Sequence, residues 1–550
     1  MDYYDLGPYR RPITTVSSDA QTWFDRGLNW LYAFNHEEAI RCFTSAVEAD
    51  PSCAMGHWGI AIALGPNYNL PWTLMDETTR AKTLAGAFDA SEAALALRDQ
   101  VTEVEADLIG ALAARYPQRD PIEDQMPWNY AFTNAMREVH TAHRDDNDVL
   151  AVFVDAILNE TPWKMWNLKT GGVAEGAGTV EAREVLERAF DEVPSSWGHP
   201  GLLHLYIHLM EMSPWPELAL RAGDRLRDLV PDGGHLIHMP THIDVLCGNY
   251  HDVVVYNQKA VEADRRWLER EGLYNVYTLY RNHNHHFVIY GAMFLGQYSA
   301  AMAAAEEIIE TIPEAFLRIP SPPMADSAEA FVGMKQHVLV RFGKWHEIID
   351  QDLPEDAELY AATTALLLYA KTVAHSALGN VAEAERERAA FLEAKDNVPE
   401  SRRVHNNTVV DLLKVAEAMM EGELEYRRGN HEVAFDHLRA SVALEDNLPY
   451  DEPWGWMQPT RHALGALLME QGHHEEAEAV YRADLGLDNT LSRASQHPNN
   501  LWSLHGLYEC LSQRGEKVEA LLIKQQLDLA QARSEVQVKA SCYCRQAAMS

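Results

Sequence analysis

Trp23, Gly27, Trp30, Ala39, Phe43, Ala46 and Pro51 stand at the spacings of a two-helix repeat of about 34 residues, and no other feature narrows the possible folds as far. Small residues at 27 and 39 let two helices approach closely, while the aromatic side chains fill the space between them. Asn35-His36-Glu37-Glu38-Ala39 reads as the turn between the helices, and Pro51 stops the second one.

Similar turns recur at Asn249, Gly296-Gln297, Gly343-Lys344, Gly379-Asn380, Gly429-Asn430, Gly472-His473 and Gly515-Glu516. After Asn249 they are spaced 48, 47, 36, 50, 43 and 43 residues apart, so the repeats are irregular and longer than the standard tetratricopeptide unit. Between residues 52 and 248 the signature fades, and joints such as Gly65-Pro66, Asp120-Pro121, Gly171-Gly172 and Pro231-Asp232-Gly233-Gly234 punctuate helical runs. Alternating strand-type runs do not stand out. The expected fold is all-α, a tetratricopeptide-like helix-pair solenoid wound into a superhelix, with no sheet. The expected division is 1–95 for N-terminal repeats, 96–320 for central irregular helices and 321–550 for C-terminal repeats.

The chain carries 46 Lys and Arg against 82 Asp and Glu, a formal charge of -36. Such a surface repels nucleic acid and anionic membrane and favours basic partners. No basic n-region with an apolar h-region opens the chain, and no apolar stretch approaches a membrane span, so a soluble, cytoplasmic protein is expected. The six cysteines, at 42, 53, 247, 510, 542 and 544, form no C-x-x-C pair, so structural disulfides are not expected. Cys542 and Cys544 are placed in a frayed polar tail, a poor chelate for a soft metal.

Histidine is unevenly spread. Ten fall between His199 and His286, where the average of 25 in 550 predicts about four. His199 to Glu211 reads as a helix opened by Pro200, with His204 and His208 one turn apart on one face. Gly234 to His242 repeats that spacing at His238 and His242, and both offsets equal 34 residues. Equivalent positions on neighbouring first helices, about 8–10 Å apart, would bring the four rings face to face. Eleven residues before later turns stand His286, His462 and His505, and seven before stand Tyr290 and His337. Three or four neutral imidazoles suit zinc, copper or iron, with Glu211 or Asp244 able to add a carboxylate. The alternative is that the rings pack between helices with their nitrogens bonded to neighbours, the favoured reading for His462 and His505.

Asn282-His283-Asn284-His285-His286-Phe287 follows Tyr274, Tyr277 and Tyr280, grouping polar rings on what is otherwise a core-like helix. His57-Trp58-Gly59 and Gly65-Pro66-Asn67-Tyr68-Asn69 form a helix and polar turn after the first repeat. No P-loop, G-x-G-x-x-G, G-x-S-x-G or H-E-x-x-H is present.

These segments resemble bacterial and fungal tetratricopeptide proteins similar to tetratricopeptide repeat protein 38 of animals. The resemblance rests on Cys53 to Ala61, Gly65 to Asn69, Leu203 to His208, Gly234 to Ile243, His283 to Phe287 and Pro498 to Leu504. It implies an all-helical repeat fold with the same histidine positions, including His283 and His286 of an H-N-x-H-F element, and no particular reaction.

The expectation is therefore a metal-dependent enzyme in which His204, His208, His238 and His242 hold a copper, iron or zinc ion. His283, His286 or Glu211 completes the shell or moves protons. The ligand is a small molecule or short peptide in the concave groove, with oxidation slightly favoured over hydrolysis because the shell is all nitrogen and its lining aromatic. The rival is a non-enzymatic scaffold binding a peptide or partner protein.

Overall fold

The computed structural model describes residues 3–546. Its architecture is all-α, made of consecutive helix pairs of tetratricopeptide type. The first pair runs Ser18–Tyr32 and His36–Ala49, opened by Ser17 accepting from Ala20 N–H and by Asn35 accepting from Glu38 N–H. Phe43 explains the two small residues beside it. A Cβ at Gly27 would stand 2.6 Å from its ring and one at Gly59 2.5 Å, so only glycine lets three successive helices close on that aromatic.

Each recurring turn of the sequence joins two helices. Tyr277–Leu295 meets Tyr298–Thr311, Ala361–Ala377 meets Val381–Asp396, and Val409–Arg427 meets His431–Asp446. Arg461–Glu470 then meets His474–Asp484, and Leu501–Arg514 meets Lys517–Gln531. Gly296 shows why the turns look alike. With φ at 71° it lets Gln297 N–H reach Ala292 O at 2.8 Å while its own N–H bonds Met293 O at 3.2 Å, capping two orphan carbonyls.

The described chain falls into two compact units, Met1–Ile243 with Glu262–Arg270, and Asp244–Val261 with Glu271–Ser550. In the first, the helices Asn147–Leu158 and Pro200–Met210 form a deeply buried centre. In the second, the pairs named above stack in chain order.

Three sequence expectations change, those of no sheet, of a frayed tail and of no disulfide. A short antiparallel ladder, Arg403–Val404 with Asn407–Thr408, does occur; it has no apolar alternation and is tied down by Asn407 donating to Asp451 at 2.7 Å. The C-terminal segment is folded rather than frayed. Ser541 Oγ donates to His462 O at 2.7 Å and meets Tyr481 OH at 2.6 Å, and Cys542 is joined to Cys544. Among the described residues, no helix is long and apolar enough to cross a membrane.

Candidate metal centre

The site begins with a helix that has no polar face to offer water. Pro200–Met210 is buried at every position, with Pro200 at its first turn and the His199 ring accepting from Leu202 N–H at 3.1 Å. Its two internal histidines therefore must find partners inside the protein. His204 and His208 lie one turn apart, ring centroids 4.7 Å from each other.

The second arm is broken where the sequence suggested one helix. Gly234–His238 and Pro240–Cys247 are separate because Pro240 has no N–H to continue the ladder. The ring brought to His204 and His208 is consequently His235, at 4.9 Å and 6.5 Å. One nitrogen from each of these three rings lies within 4.8 Å of the others. His238 and His242 continue the cluster: His238 stands 5.8 Å from His235, and His242 stands 6.0 Å from His208. Their Nε2 atoms face each other at 2.7 Å.

Hydrogen bonds set which nitrogen of each ring carries the proton. His204 Nδ1 is 2.7 Å from Tyr32 O, a carbonyl that only accepts, so Nδ1 holds the proton and Nε2 the lone pair. His208 Nδ1 donates to Glu211 Oε1 at 2.9 Å, and His242 Nδ1 donates to Glu211 Oε2 at 2.7 Å. The Nε2 atoms of His204 and His208 are buried and have no hydrogen-bond partner among the described residues. Leaving such an atom unpaired costs about 1–3 kcal/mol. Glu211, fully buried, thus stands behind two rings and orients them, the place of a carboxylate supporting metal-bound imidazoles.

Burial keeps these rings neutral. It draws the His208 pKa down to about 3 and pulls His204 well below its ordinary value, with repulsion from His208 adding to the effect. His235 is lowered by burial first and then by its neighbouring rings. Three neutral nitrogen donors suit zinc, copper or iron, and three protein ligands leave a position open. Donors on one tetrahedral ion with bonds of about 2.1 Å stand about 3.4 Å apart, so rings whose nitrogens lie within 4.8 Å of one another close by up to about 1.4 Å on binding.

Aromatic residues close the cluster. Phe34 stacks on His208 and His235 at 5.8 Å and 5.6 Å, and Tyr68 lies 4.4 Å from His208. Phe34 occupies the position that glycine fills at the later repeat turns, and does so with φ at 53°, a left-handed conformation costing a bulky residue about 1–2 kcal/mol. The Gly65 to Asn69 turn, a weak signal in the sequence, delivers Tyr68 to the rings and Asn67 to an adjoining small cavity. Tyr32, Phe34, His36, Asp155 and His204 also line that cavity. Burial pushes the Asp155 carboxyl up to about 6, and its Oδ1 has no hydrogen-bond partner among the described residues.

His283 and His286 belong to the second unit, where they meet His405. His283 Nδ1 is 3.0 Å from His405 Nε2. His462 has both nitrogens committed, accepting from Arg341 at 2.7 Å and donating to Asp484 at 2.9 Å. His235, Asp155 and His405 were missed by sequence reasoning. His235 lies three residues before His238 and outside the 34-residue offset, and nothing marks the other two as neighbours of the rings they meet.

No protein-family model and no curated protein matches the sequence. Solved structures with a likeness along the chain include one in the structure of Naa15/Naa10 bound to HypK-THB. It is 12% identical, covers 93% of this chain and 70% of its own, and has a TM-score of 0.22. Another belongs to the APC/C hetero-tetramer Cut9-Hcn1, 12% identical, covering 93% of this chain and 87% of its own with a TM-score of 0.28. At such scores the likeness decides nothing about function.

Proposed function

We propose that the first unit holds a transition-metal ion on His204, His208 and His235 and that the chain is a metal-dependent enzyme acting on a small molecule. The observation carrying this is the pair of buried Nε2 lone pairs at His204 and His208, in tautomers fixed by Tyr32 O and Glu211. An apolar packing role would leave those atoms uncompensated, and a cation compensates both. Glu211 acts as the orienting carboxylate, while His238 and His242 flank the three ligands.

The cavity beside His204 is small and the rings themselves are almost wholly enclosed, which disfavours a peptide and limits a substrate to a few non-hydrogen atoms. Copper or iron with oxidation is favoured slightly over zinc with hydrolysis, on the strength of the all-nitrogen shell and the aromatic cover of Phe34 and Tyr68. We read the chain as cytoplasmic and as a relative of the tetratricopeptide repeat protein 38 group.

The test is metal analysis of untagged full-length protein, as purified and after reconstitution, against His204→Ala/His235→Ala. One ion per chain lost in a folded variant supports the reading, and equal content in both rejects it. A second reading, a scaffold for a partner protein, is favoured by the last long helix, Lys517–Gln531. Its Val518, Leu521, Leu522 and Leu529 are exposed to between 59% and 79%. A protein that takes up no ion even when reconstituted fits that reading instead.

A further inference from the structure

We propose that the second unit carries a separate copper site, built from His283, His286 and His405 with the Met457 thioether as its soft ligand. It shares no residue with the three-histidine centre above and stands or falls independently.

His283 and His286 are three residues apart on the Tyr277–Leu295 helix, a spacing that turns both to one side. His405 comes from 122 residues away and sits at the tip of the Arg403–Val404/Asn407–Thr408 hairpin. Its φ is 45°, a left-handed conformation in which glycine would be unstrained, yet the position carries an imidazole. The hairpin is secured by Asn406 donating to Tyr450 O at 3.1 Å and Asn407 donating to Asp451 at 2.7 Å. The strained tip thereby presents its ring to the other two, at 4.6 Å from His283 and 5.7 Å from His286. One nitrogen of each ring lies within 4.8 Å of the others.

Met457 distinguishes this donor set. Its sulfur, fully buried, is 2.7 Å from His286 Nε2. A thioether is a weak hydrogen-bond acceptor but a good ligand for Cu(I), whereas zinc takes thiolate, imidazole or carboxylate. On one ion, with bonds of about 2.1 Å and 2.3 Å, nitrogen and sulfur stand about 3.5 Å apart. The sulfur must swing back by just under about 1 Å, and the three rotatable bonds of methionine permit that. Phe331 lies edge-on to His286 and His405, at 5.3 Å and 5.0 Å, and Phe287 edge-on to His283, giving the rings an apolar wall. His283 and His405 are only half-buried, which leaves a way in for the ion.

The experiment uses full-length His204→Ala/His235→Ala protein, so that the first centre is removed, titrated anaerobically with Cu(I) held by a competing bicinchoninate chelator. One Cu(I) per chain is expected, with sulfur and nitrogen scatterers together in its X-ray absorption spectrum. Met457→Leu, close in volume and safe for the fold, should erase the sulfur signal. It should also weaken Cu(I) at least tenfold while leaving zinc affinity within about twofold. His405→Gly, suited to the left-handed tip, should abolish binding. No Cu(I) uptake, or unchanged affinity and spectrum in a folded Met457→Leu protein, overturns the proposal.

Discussion

Around Asp484 in the second unit both nitrogens of His462 and His497 have polar partners; at the ring cluster of the first unit, the Nε2 atoms of His204 and His208 have none among the described residues. His462 sits between Arg341 and Asp484, and His497 bonds Asp484 at 2.8 Å and the Tyr290 hydroxyl at 3.0 Å. Asp484 also accepts from Asn500 at 2.9 Å and Ser503 at 2.6 Å. All of these imidazoles are buried, and His462 stands eleven residues before a repeat turn just as His286 of the proposed copper set does. Position in the repeat therefore does not separate a packing histidine from a ligand, whereas the accounting of ring nitrogens does.

The two regions should therefore respond differently to mutation. The largest effect belongs to Asp484→Ala, which strands four buried donors and should cost about 3–5 kcal/mol, read as a fall in urea midpoint of the metal-free protein. Ion affinity at the first unit should be unaffected in the fraction that remains folded; a parallel loss would erase the contrast. Glu211→Gln comes next. It keeps the packing but supports only one ring, and should weaken the ion 10- to 100-fold, about 1.4–2.7 kcal/mol by competition titration.

Acid should act on both units alike when no ion is bound. Burial lowers the pKa of His36 in the first unit and of His462 in the second from 6.5 to about 4. The unfolded chain takes up those protons first, so the stability these groups contribute is complete above about pH 6.5 and is lost as pH falls towards 4. The slope is at most about 1.4 kcal/mol per pH unit for each ring. A denaturation series between pH 7 and pH 4 measures it, and a flat profile would show that these rings are not held neutral. The smallest effect is Gly472→Ala. An added Cβ there meets open space, so only the left-handed φ of 79° resists, by about 1 kcal/mol in denaturation, with metal binding unchanged.

The helix pairs were legible because their turns carry local chemistry: glycine at 296, 343, 379, 429, 472 and 515 must adopt a positive φ, and the sequence marks each one. His204 and His208 were legible for the same local reason, their i,i+4 spacing. His235 was hidden because the 34-residue offset assumes an unbroken helix, and Pro240 breaks it. Glu211 was visible as a carboxylate, but its task of holding two rings depends on a contact 31 residues away. His405 reaches His283 through a hairpin of four paired residues with no strand pattern, and so gave no signal at all.

Plasma mass spectrometry on full-length protein decides whether His204, His208 and His235 hold an ion. Wild type and His204→Ala/His235→Ala, matched in circular dichroism, are compared after reconstitution with copper, iron and zinc in turn. One ion per chain present in wild type is expected to be missing from the variant. Equal metal in both proteins, or none in either, would contradict it.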